Sequence, residues 1–156
     1  MLKKKKIIIT TNKKAKFNFS IKKFFTAGIV LHGWEIKSIR QGKINISNSY
    51  IVSRSFELYL FNCNIEPLKT TNLFNFSNEK NRNIKLLLLK KEINFILKEI
   101  KKFKYTLIPI SLFWKRSLCK IKIGLAKGKN LYDKRQDKKN KIIKRELYRI
   151  SKKFKI

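Results

Sequence analysis

The chain has 156 residues, with 40 Lys and Arg against 9 Asp and Glu, so its formal net charge is +31. This length suits one domain with a short tail, and such a charge favours a polyanion, nucleic acid first and an anionic membrane second. No apolar run approaches the roughly 20 residues that a membrane-spanning helix needs, and the apolar residues 7–9 are too few for a signal peptide. The composition predicts a cytoplasmic binding protein that does not enter a membrane.

Residues 1–10 are predicted to form a basic N-terminal extension that is either mobile or forms a short strand at residues 7–10. The stretch NKKAKFNFSIKKFF follows, in which Phe17, Phe19 and Ile21 alternate with polar residues. A period of two is typical of a half-buried strand, so we expect a strand here.

Residues 34–40 lie between two glycines and predict a short helix with Ile36 and Ile39 facing inward. The next stretch, INISNSYIVSRSFELYLFNCNI, predicts two strands around residues 53–55. Residues 67–83 are polar and Asn-rich and predict a loop. The two strand faces are predicted to hold Ile44, Ile46, Tyr50 and Val52 on one and Phe56, Leu58 and Leu60 on the other.

The stretch KKEINFILKEIKKF predicts an amphipathic helix that lies on the sheet. Its predicted apolar face consists of Ile93, Ile96, Leu97 and Ile100. YTLIPISLFW and LCKIKIGLA predict a hairpin that turns at residues 115–117, and Pro109 indicates an edge strand or a bulge. Short strands, glycine corners and one long helix together indicate a small closed or partly open barrel over residues 11–129, mainly β with flanking helices.

Residues 130–156 are predicted to be a basic tail. From residue 127 to the end there are 13 basic and 3 acidic residues, 13 − 3 = +10. Asp137 is a candidate N-cap for a helix, whose narrow apolar stripe is Ile143, Leu147, Ile150 and Phe154. Because nucleation is costly and like charges repel, we expect this helix to form only on a partner.

The sequence offers little for catalysis. His32 is the only histidine, the acidic residues are scattered singly, and GLAKGK lacks the spacing of a phosphate-binding loop. Cys63 and Cys119 lack a metal-binding or disulfide motif and are predicted to be reduced, structural thiols. We therefore predict a binding protein that is not an enzyme and has no metal or cofactor.

Six blocks of sequence carry a resemblance. They are NKKAKF, AGIVLHGWEIKSIRQGKINISNSY, NIEPL, KLLL, SLFWKRSLCKIKIGLAKGK and LYDKR, in this order over residues 12–135. In these blocks the chain resembles the small protein B family of SsrA-binding proteins. The resemblance implies an oligonucleotide-binding (OB) fold barrel that grips the tRNA-like domain of transfer-messenger RNA. It also implies delivery of that RNA to stalled ribosomes for trans-translation, tagging of the nascent chain and ribosome rescue.

By the same resemblance, the body stands where an anticodon stem would stand while the tail enters the empty mRNA channel near the small-subunit decoding centre. The protein is expected to be a monomer in solution. The residues that match RNA-contacting positions of the body are Asn12, Lys13, Glu35, Leu87, Lys120, Lys127 and Lys129. The tail residues expected to contact the ribosome are Tyr132, Asp133, Lys134, Arg135, Lys138, Lys141, Lys144, Arg145 and Arg149.

Some positions have a second interpretation. Leu87 equally suits core packing and Glu35 suits a charge at a helix N-terminus. The neighbouring Trp34 is a candidate for stacking on RNA, and its second interpretation is a core residue. The chain also departs from the family at Thr26, where an acid usually precedes Ala-Gly, and at Leu89, where a capping Asn is common. The runner-up classes are a membrane-surface helix, another ribosomal or single-strand-binding barrel, and an RNA enzyme.

Overall fold

The computed structural model describes residues 7–68 and 82–153. Four helices and nine strands occur in these ranges. In chain order they are β1 (Ile7–Thr11), α1 (Lys13–Asn18), β2 (Phe19–Ile29), α2 (Gly33–Arg40), β3 (Ile44–Asn45), β4 (Tyr50–Arg54), β5 (Glu57–Phe61), β6 (Asn64–Ile65), β7 (Ile84–Leu87), α3 (Lys90–Phe103), β8 (Thr106–Lys115), β9 (Leu118–Gly128) and α4 (Leu131–Lys153).

Six antiparallel strands close into a ring. The order is β4-β5-β7-β2-β9-β8, and β8 closes it because it pairs with both β9 and β4. Strand β1 pairs with β8 outside the ring, so residues 7–10 take the strand alternative of the predicted extension. The closed barrel with flanking helices confirms the predicted fold class.

The interior of the barrel is built by alternation. In β9, Ile121, Ile123 and Leu125 are fully buried, and they lie beside buried residues of β2, β7 and β8 in one cluster. Helix α3 adds Ile96 to this core, as its predicted apolar face requires. The predicted β8–β9 hairpin is confirmed, and the pairing register of β8 shifts between Pro109 and Ser111, so the proline lies at a bulge.

A second, smaller apolar cluster holds α1 against the barrel. Ala15 of α1 packs with Ile108, Ile110 and Ala126, and Ile21 lies against this cluster. Gly124 is closely covered by this cluster, since a Cβ would lie 3.1 Å from Ile21 Cγ2 and 3.2 Å from Ile110 Cδ1. A side chain at this position would require those two isoleucines to shift by a few tenths of an ångström.

The strand predicted from Phe17 onward begins later than expected. Residues 13–18 form α1 because the Asn12 side chain accepts a hydrogen bond from the Ala15 N–H (3.0 Å) and caps the helix. Phe17 is consequently an exposed helical residue, and the strand starts at Phe19. The predicted helix at residues 34–40 is confirmed as α2, with Ile39 buried and Ile36 half-buried.

The prediction that Ile44, Ile46, Tyr50 and Val52 share one strand face is wrong for Tyr50 and Val52. Ser49 N–H donates to the Ile46 carbonyl (3.2 Å), so a turn separates these residues and resets the alternation. Tyr50 is exposed and Ile51 is buried instead. On the following strand, Leu58 and Leu60 are buried as predicted, while Phe56 is exposed in the turn. Most of the predicted loop at 67–83 lies outside the described residues.

Helix α4 begins at Leu131, six residues before the predicted cap at Asp137. The Asn130 carbonyl accepts from Lys134 N–H (3.2 Å), and the Asp133 carboxylate accepts from Asn130 N–H (3.3 Å). Asp133 therefore satisfies the N–H of the residue before the helix, as the third-position acid of a capping box does, whereas Asp137 was predicted as the N-cap itself. The helix is present in the chain alone, and its dependence on a partner stays a prediction.

Candidate nucleic-acid interface

Leu87 and Lys120 meet on the outside of the barrel. Gly28 of β2 is paired directly with Leu87 of β7 on one side and with Lys120 of β9 on the other. Paired residues of an antiparallel sheet share a face, and the adjacent pair Ala27 and Ile121 is buried, so the row faces outward. Leu87 leans over the glycine, since a Cβ on Gly28 would lie 3.3 Å from Leu87 Cβ.

The same face continues along β2 and β9. Thr26 is paired with Lys122, and Phe24 lies two residues further along β2. Lys122 Nζ lies 4.0 Å from the centroid of the Phe24 ring. We call this surface the β2–β9 patch; its members are Phe24, Thr26, Gly28, Leu87, Lys120 and Lys122. Because Thr26 replaces the acid expected from the resemblance, no carboxylate stands directly opposite Lys122.

Asn12 and Lys13 are neighbours with different environments. Asn12 is only 4% exposed and uses both ends of its amide, because Nδ2 donates to the Ile46 carbonyl (3.2 Å) while Oδ1 caps α1. Its backbone N–H donates to the Ile110 carbonyl (2.8 Å). Lys13 is exposed. The structure thus gives Asn12 the task of fixing α1 and leaves the Lys13 ammonium available to a ligand.

Glu35 is a buried charge with a full set of partners. It is 1% exposed and accepts two hydrogen bonds from Arg82, Nε to Oε1 at 2.8 Å and Nη2 to Oε2 at 2.6 Å. Oε2 also accepts from the His32 N–H (2.7 Å) at the start of α2. Arg82 Nη2 donates further to the Val30 carbonyl (2.9 Å). Such a paired carboxylate joins α2 to the chain before β7, which matches the helix N-terminal interpretation of Glu35. Trp34 is buried in the core, as its second interpretation requires.

Lys127 and Lys129 lie where the barrel meets α4. Lys127 is exposed, whereas Lys129 Nζ donates to Asp137 Oδ2 (2.6 Å) and to the Lys16 carbonyl (3.5 Å). Lys138 Nζ lies 5.6 Å from the centroid of the Phe17 ring on α1. We call Phe17, Lys129, Asp137 and Lys138 the α1–α4 joint. It holds the first turns of α4 against α1.

A cavity of about 520 Å³ opens beside this joint. Its lining residues are Ser20, Lys22, Tyr105, Lys127, Gly128, Lys129, Asn130 and Asp133. Of its three lysines, Lys129 is paired with Asp137 (2.6 Å) and Lys22 with Glu99 (2.9 Å), whose hydrogen bond raises the pKa of Lys22. Lys127 is the exposed cation at this opening. Lys22 was not among the residues predicted from the sequence.

None of the described side chains of α4 is buried, either at the joint or beyond it. Its 23 residues make a rod about 35 Å long, and Tyr132, Asp133 and Arg135 are exposed while Lys134 is half-buried. The remaining tail residues predicted from the sequence are also exposed: Lys138, Lys141, Lys144, Arg145 and Arg149. Ile143, Leu147 and Ile150 are exposed as well, so the predicted apolar stripe is uncovered; Phe154 lies outside the described residues.

The described residues were also compared with the requirements of a metal site, a membrane-spanning helix and a reactive thiol. Within residues 7–68 and 82–153, no three His, Cys, Asp or Glu side chains are grouped to hold a metal ion, and no helix is long and apolar enough to cross a membrane. Cys63 and Cys119 are free thiols, and burial raises their pKa values to about 12 and about 11.

Sequence reasoning missed Phe24, Lys122 and Arg82. A signal for Phe24 was present, because in a strand it must lie on the opposite face from its neighbour Phe25, which is buried. No signal marked Arg82, whose partner Glu35 is 47 positions away. A closed barrel that carries lysines and an exposed aromatic side chain on one face, with a basic helix beside it, is the nucleic-acid-binding class of barrel.

Comparison with known proteins gives the family. The family model described as SmpB protein matches residues 9–153. The SsrA-binding protein of Buchnera aphidicola subsp. Acyrthosiphon pisum (strain Tuc7) is 51% identical over 153 residues, 98% of this chain and 93% of that relative. The SsrA-binding protein of Lachnoclostridium phytofermentans is 45% identical over 139 residues, 89% of each chain. The solved structure "tmRNA-SmpB: a journey to the center of the bacterial ribosome" contains a chain with 33% identity and a TM-score of 0.63, over 78% of this chain and 85% of that one. The chain belongs to the SmpB protein family.

Proposed function

We propose that this chain binds transfer-messenger RNA (SsrA RNA) through its barrel and brings it to stalled ribosomes for trans-translation. The names of the relatives support the RNA, and the solved structure supports the ribosome as the second partner. The observation that carries the proposal is the division of the molecule into a barrel with a basic outer patch and a separate, exposed basic helix. Two surfaces of this kind suit two RNA partners at once.

The barrel is the part that binds the tRNA-like domain. Folded RNA is recognised largely by its shape, through phosphates, 2′-hydroxyls and stacking. Lys13, Lys120 and Lys127 supply ammonium groups for phosphates, and Leu87 supplies an apolar contact beside Lys120. Asn12, Glu35 and Lys129 act by holding α1, α2 and α4 in place, since their polar atoms are occupied within the chain.

Helix α4 is the part that enters the vacant mRNA channel. Tyr132 lies at its start, where an aromatic ring can stack on a ribosomal base, and Lys134 and Arg135 can meet phosphates beside it. The exposed cations further along face the RNA walls of the channel, while the uncovered apolar stripe contacts protein. In this proposal the chain is a monomeric, cytoplasmic binding protein without a catalytic group, and its barrel occupies the place of an anticodon stem.

Binding to a transcript of the tRNA-like domain tests the proposal. The affinity should exceed that for an RNA duplex of equal length, and its logarithm should fall linearly with the logarithm of salt concentration. Lys13→Ala and Lys120→Ala should each lower the slope by about 1. The matched control is Arg54→Ala, because Arg54 is an exposed cation on β4, opposite β2 in the ring. Equal affinity for the duplex, or a flat salt response, would contradict the proposal.

A further inference from the structure

Phe24 is an exposed aromatic side chain in the middle of strand β2 of the barrel. Its neighbour Phe25 is buried in the core, whereas Phe24 points outward and is 47% exposed. The residue directly across from it in β9 is Gly124, which has no side chain with which to cover the ring. Leaving such a ring in water costs hydrophobic free energy, which a bound ligand would recover.

The surroundings of Phe24 specify the ligand. Lys122 Nζ lies 4.0 Å from the ring centroid, close enough for a cation–π interaction that orders both side chains. Lys120 lies two residues before Lys122 in β9. Gly28 is paired with Lys120 on one side and with Leu87 on the other. Along β2, Phe24 and Gly28 are four residues apart, about 13 Å at the rise of a strand. Aromatic, cationic and apolar side chains therefore share one outer face of the barrel, where a base and the phosphates beside it can be contacted together.

We propose that Phe24 is a stacking platform for an unpaired nucleobase, with Lys122 holding the ring and meeting the phosphate beside that base. Aromatic side chains in basic grooves bind single-stranded nucleotides in this way because every base has a π-face. The inference deepens the proposed function, on which it rests. It assigns to the β2–β9 patch a contact that is independent of charge, beside the charged contacts of Lys120 and Lys122.

A shared surface with a second copy of this chain is the other use of an exposed ring. The net charge of +31 opposes it, because two such surfaces would bring lysines together. A dimer that forms in the micromolar range and is abolished by Phe24→Leu in sedimentation equilibrium would overturn the assignment to RNA.

The test compares Phe24→Leu, Phe24→Trp and Lys122→Gln in binding to a transcript of the tRNA-like domain at several salt concentrations. Phe24→Leu should weaken binding roughly tenfold with no change in salt slope, because a base stack is lost and no charge is removed. Phe24→Trp should retain the affinity, since indole also stacks. Lys122→Gln should lower the slope by about 1.

Tyr50→Leu is the matched control. Tyr50 is 49% exposed, faces outward and lies on β4, which is three strands from β2 in either direction around the ring. It should bind as the wild type does, and the melting temperatures of all variants should show that each is folded. Wild-type affinity for Phe24→Leu, or an equal loss for Tyr50→Leu, would overturn the inference alone. Failure of the wild-type chain to prefer this transcript would defeat the proposed function as well.

Discussion

Adjacent residues of this protein serve different ends, and Asn12 and Lys13 show it most directly. The family motif that contains both does not distinguish a residue that holds the fold from one that meets the ligand. The distinction comes from Ile46, whose carbonyl accepts from Asn12 although it lies 34 positions away. The resemblance therefore does not distinguish residues that contact RNA from residues that hold the fold.

Replacing Asn12 by Ala should destabilise the protein. It removes the cap of α1 and leaves the Ile46 carbonyl without its donor, so the free energy of unfolding should fall by about 1–2 kcal/mol. Lys13→Ala should change it by less than about 0.5 kcal/mol, since the side chain is exposed. Urea titrations of the two variants measure this, and equal stabilities would contradict the structural task of Asn12.

The two thiols should react slowly in the folded protein. Thiolate is the reactive form, and burial raises the pKa of Cys119 from 9.0 to about 11 and that of Cys63 to about 12. In the folded state each thiol thus keeps its proton at pH values above the ordinary thiol pKa. The fraction of thiolate at pH 8 is lower than in the unfolded chain. Alkylation by iodoacetamide at pH 8 should be roughly 100-fold slower at Cys119 than in the unfolded chain, and slower still at Cys63. A rapidly alkylated cysteine, or a disulfide in unreduced protein, would contradict this environment.

Elements with a long, regular pattern could be predicted, and short ones could not. The β8–β9 hairpin and α3 carry ten or more residues of period two or 3.6, and both are confirmed. Helix α1 has six residues, too few for a helical period to stand out from the alternation of Phe17, Phe19 and Ile21. The Asn12 cap is local, but the contacts that hold α1 in place are tertiary: Asn12 Nδ2 donates to the Ile46 carbonyl, and Ala15 is buried against β8 and β9.

The start of α4 could not be predicted for a related reason. Both Asp133 and Asp137 are suitable residues for a helix N-terminus. Asp137 is paired with Lys129 in the folded chain, while Asp133 accepts the Asn130 N–H. The choice between them depends on the docking of α4 against α1, which local sequence does not reveal.

Helix α4 should be firmly held only near the joint. Cations four residues apart, such as Lys141, Arg145 and Arg149, repel one another along the helix, and no described side chain of the barrel covers this part. Amide hydrogens of residues 139–153 should therefore exchange much faster in the free protein than those of β9, and should slow on ribosome binding. Hydrogen-exchange mass spectrometry measures this. Protection equal to that of β9 in the free chain would contradict the marginal stability of α4.

At the scale of the whole molecule, the basic residues include a patch on the barrel and an exposed helix, to which the proposal assigns separate tasks. The sequence predicted a barrel and a tail, and the closed ring explains how the patch arises. Leu87 and Lys120 become neighbours only because β7 and β9 both pair with β2 at Gly28. That register depends on closure of the ring and could not be predicted from either strand alone.

The central claim is that RNA binding and ribosome engagement reside in different parts of the chain. A chain that ends at Asn130 keeps all nine described strands and the β2–β9 patch and lacks α4. A full-length variant with Ala at Tyr132, Asp133, Lys134 and Arg135 is a second test of the tail, because it retains the length of α4 and most of its charge. Phe24→Leu is the reciprocal variant, which keeps α4 and weakens the barrel contact.

The most direct test makes two measurements on each variant. The first is its affinity for the tRNA-like domain in the presence of excess competitor RNA. The second is the tagging of nascent chains on ribosomes stalled without a stop codon. The truncated chain and the alanine variant should bind the RNA about as well as the wild type and fail to support tagging. Phe24→Leu should bind more weakly and recover tagging when its concentration is raised. Tagging by the truncated chain at the wild-type rate would contradict the separate task of α4, and loss of RNA binding on truncation would contradict the independence of the barrel.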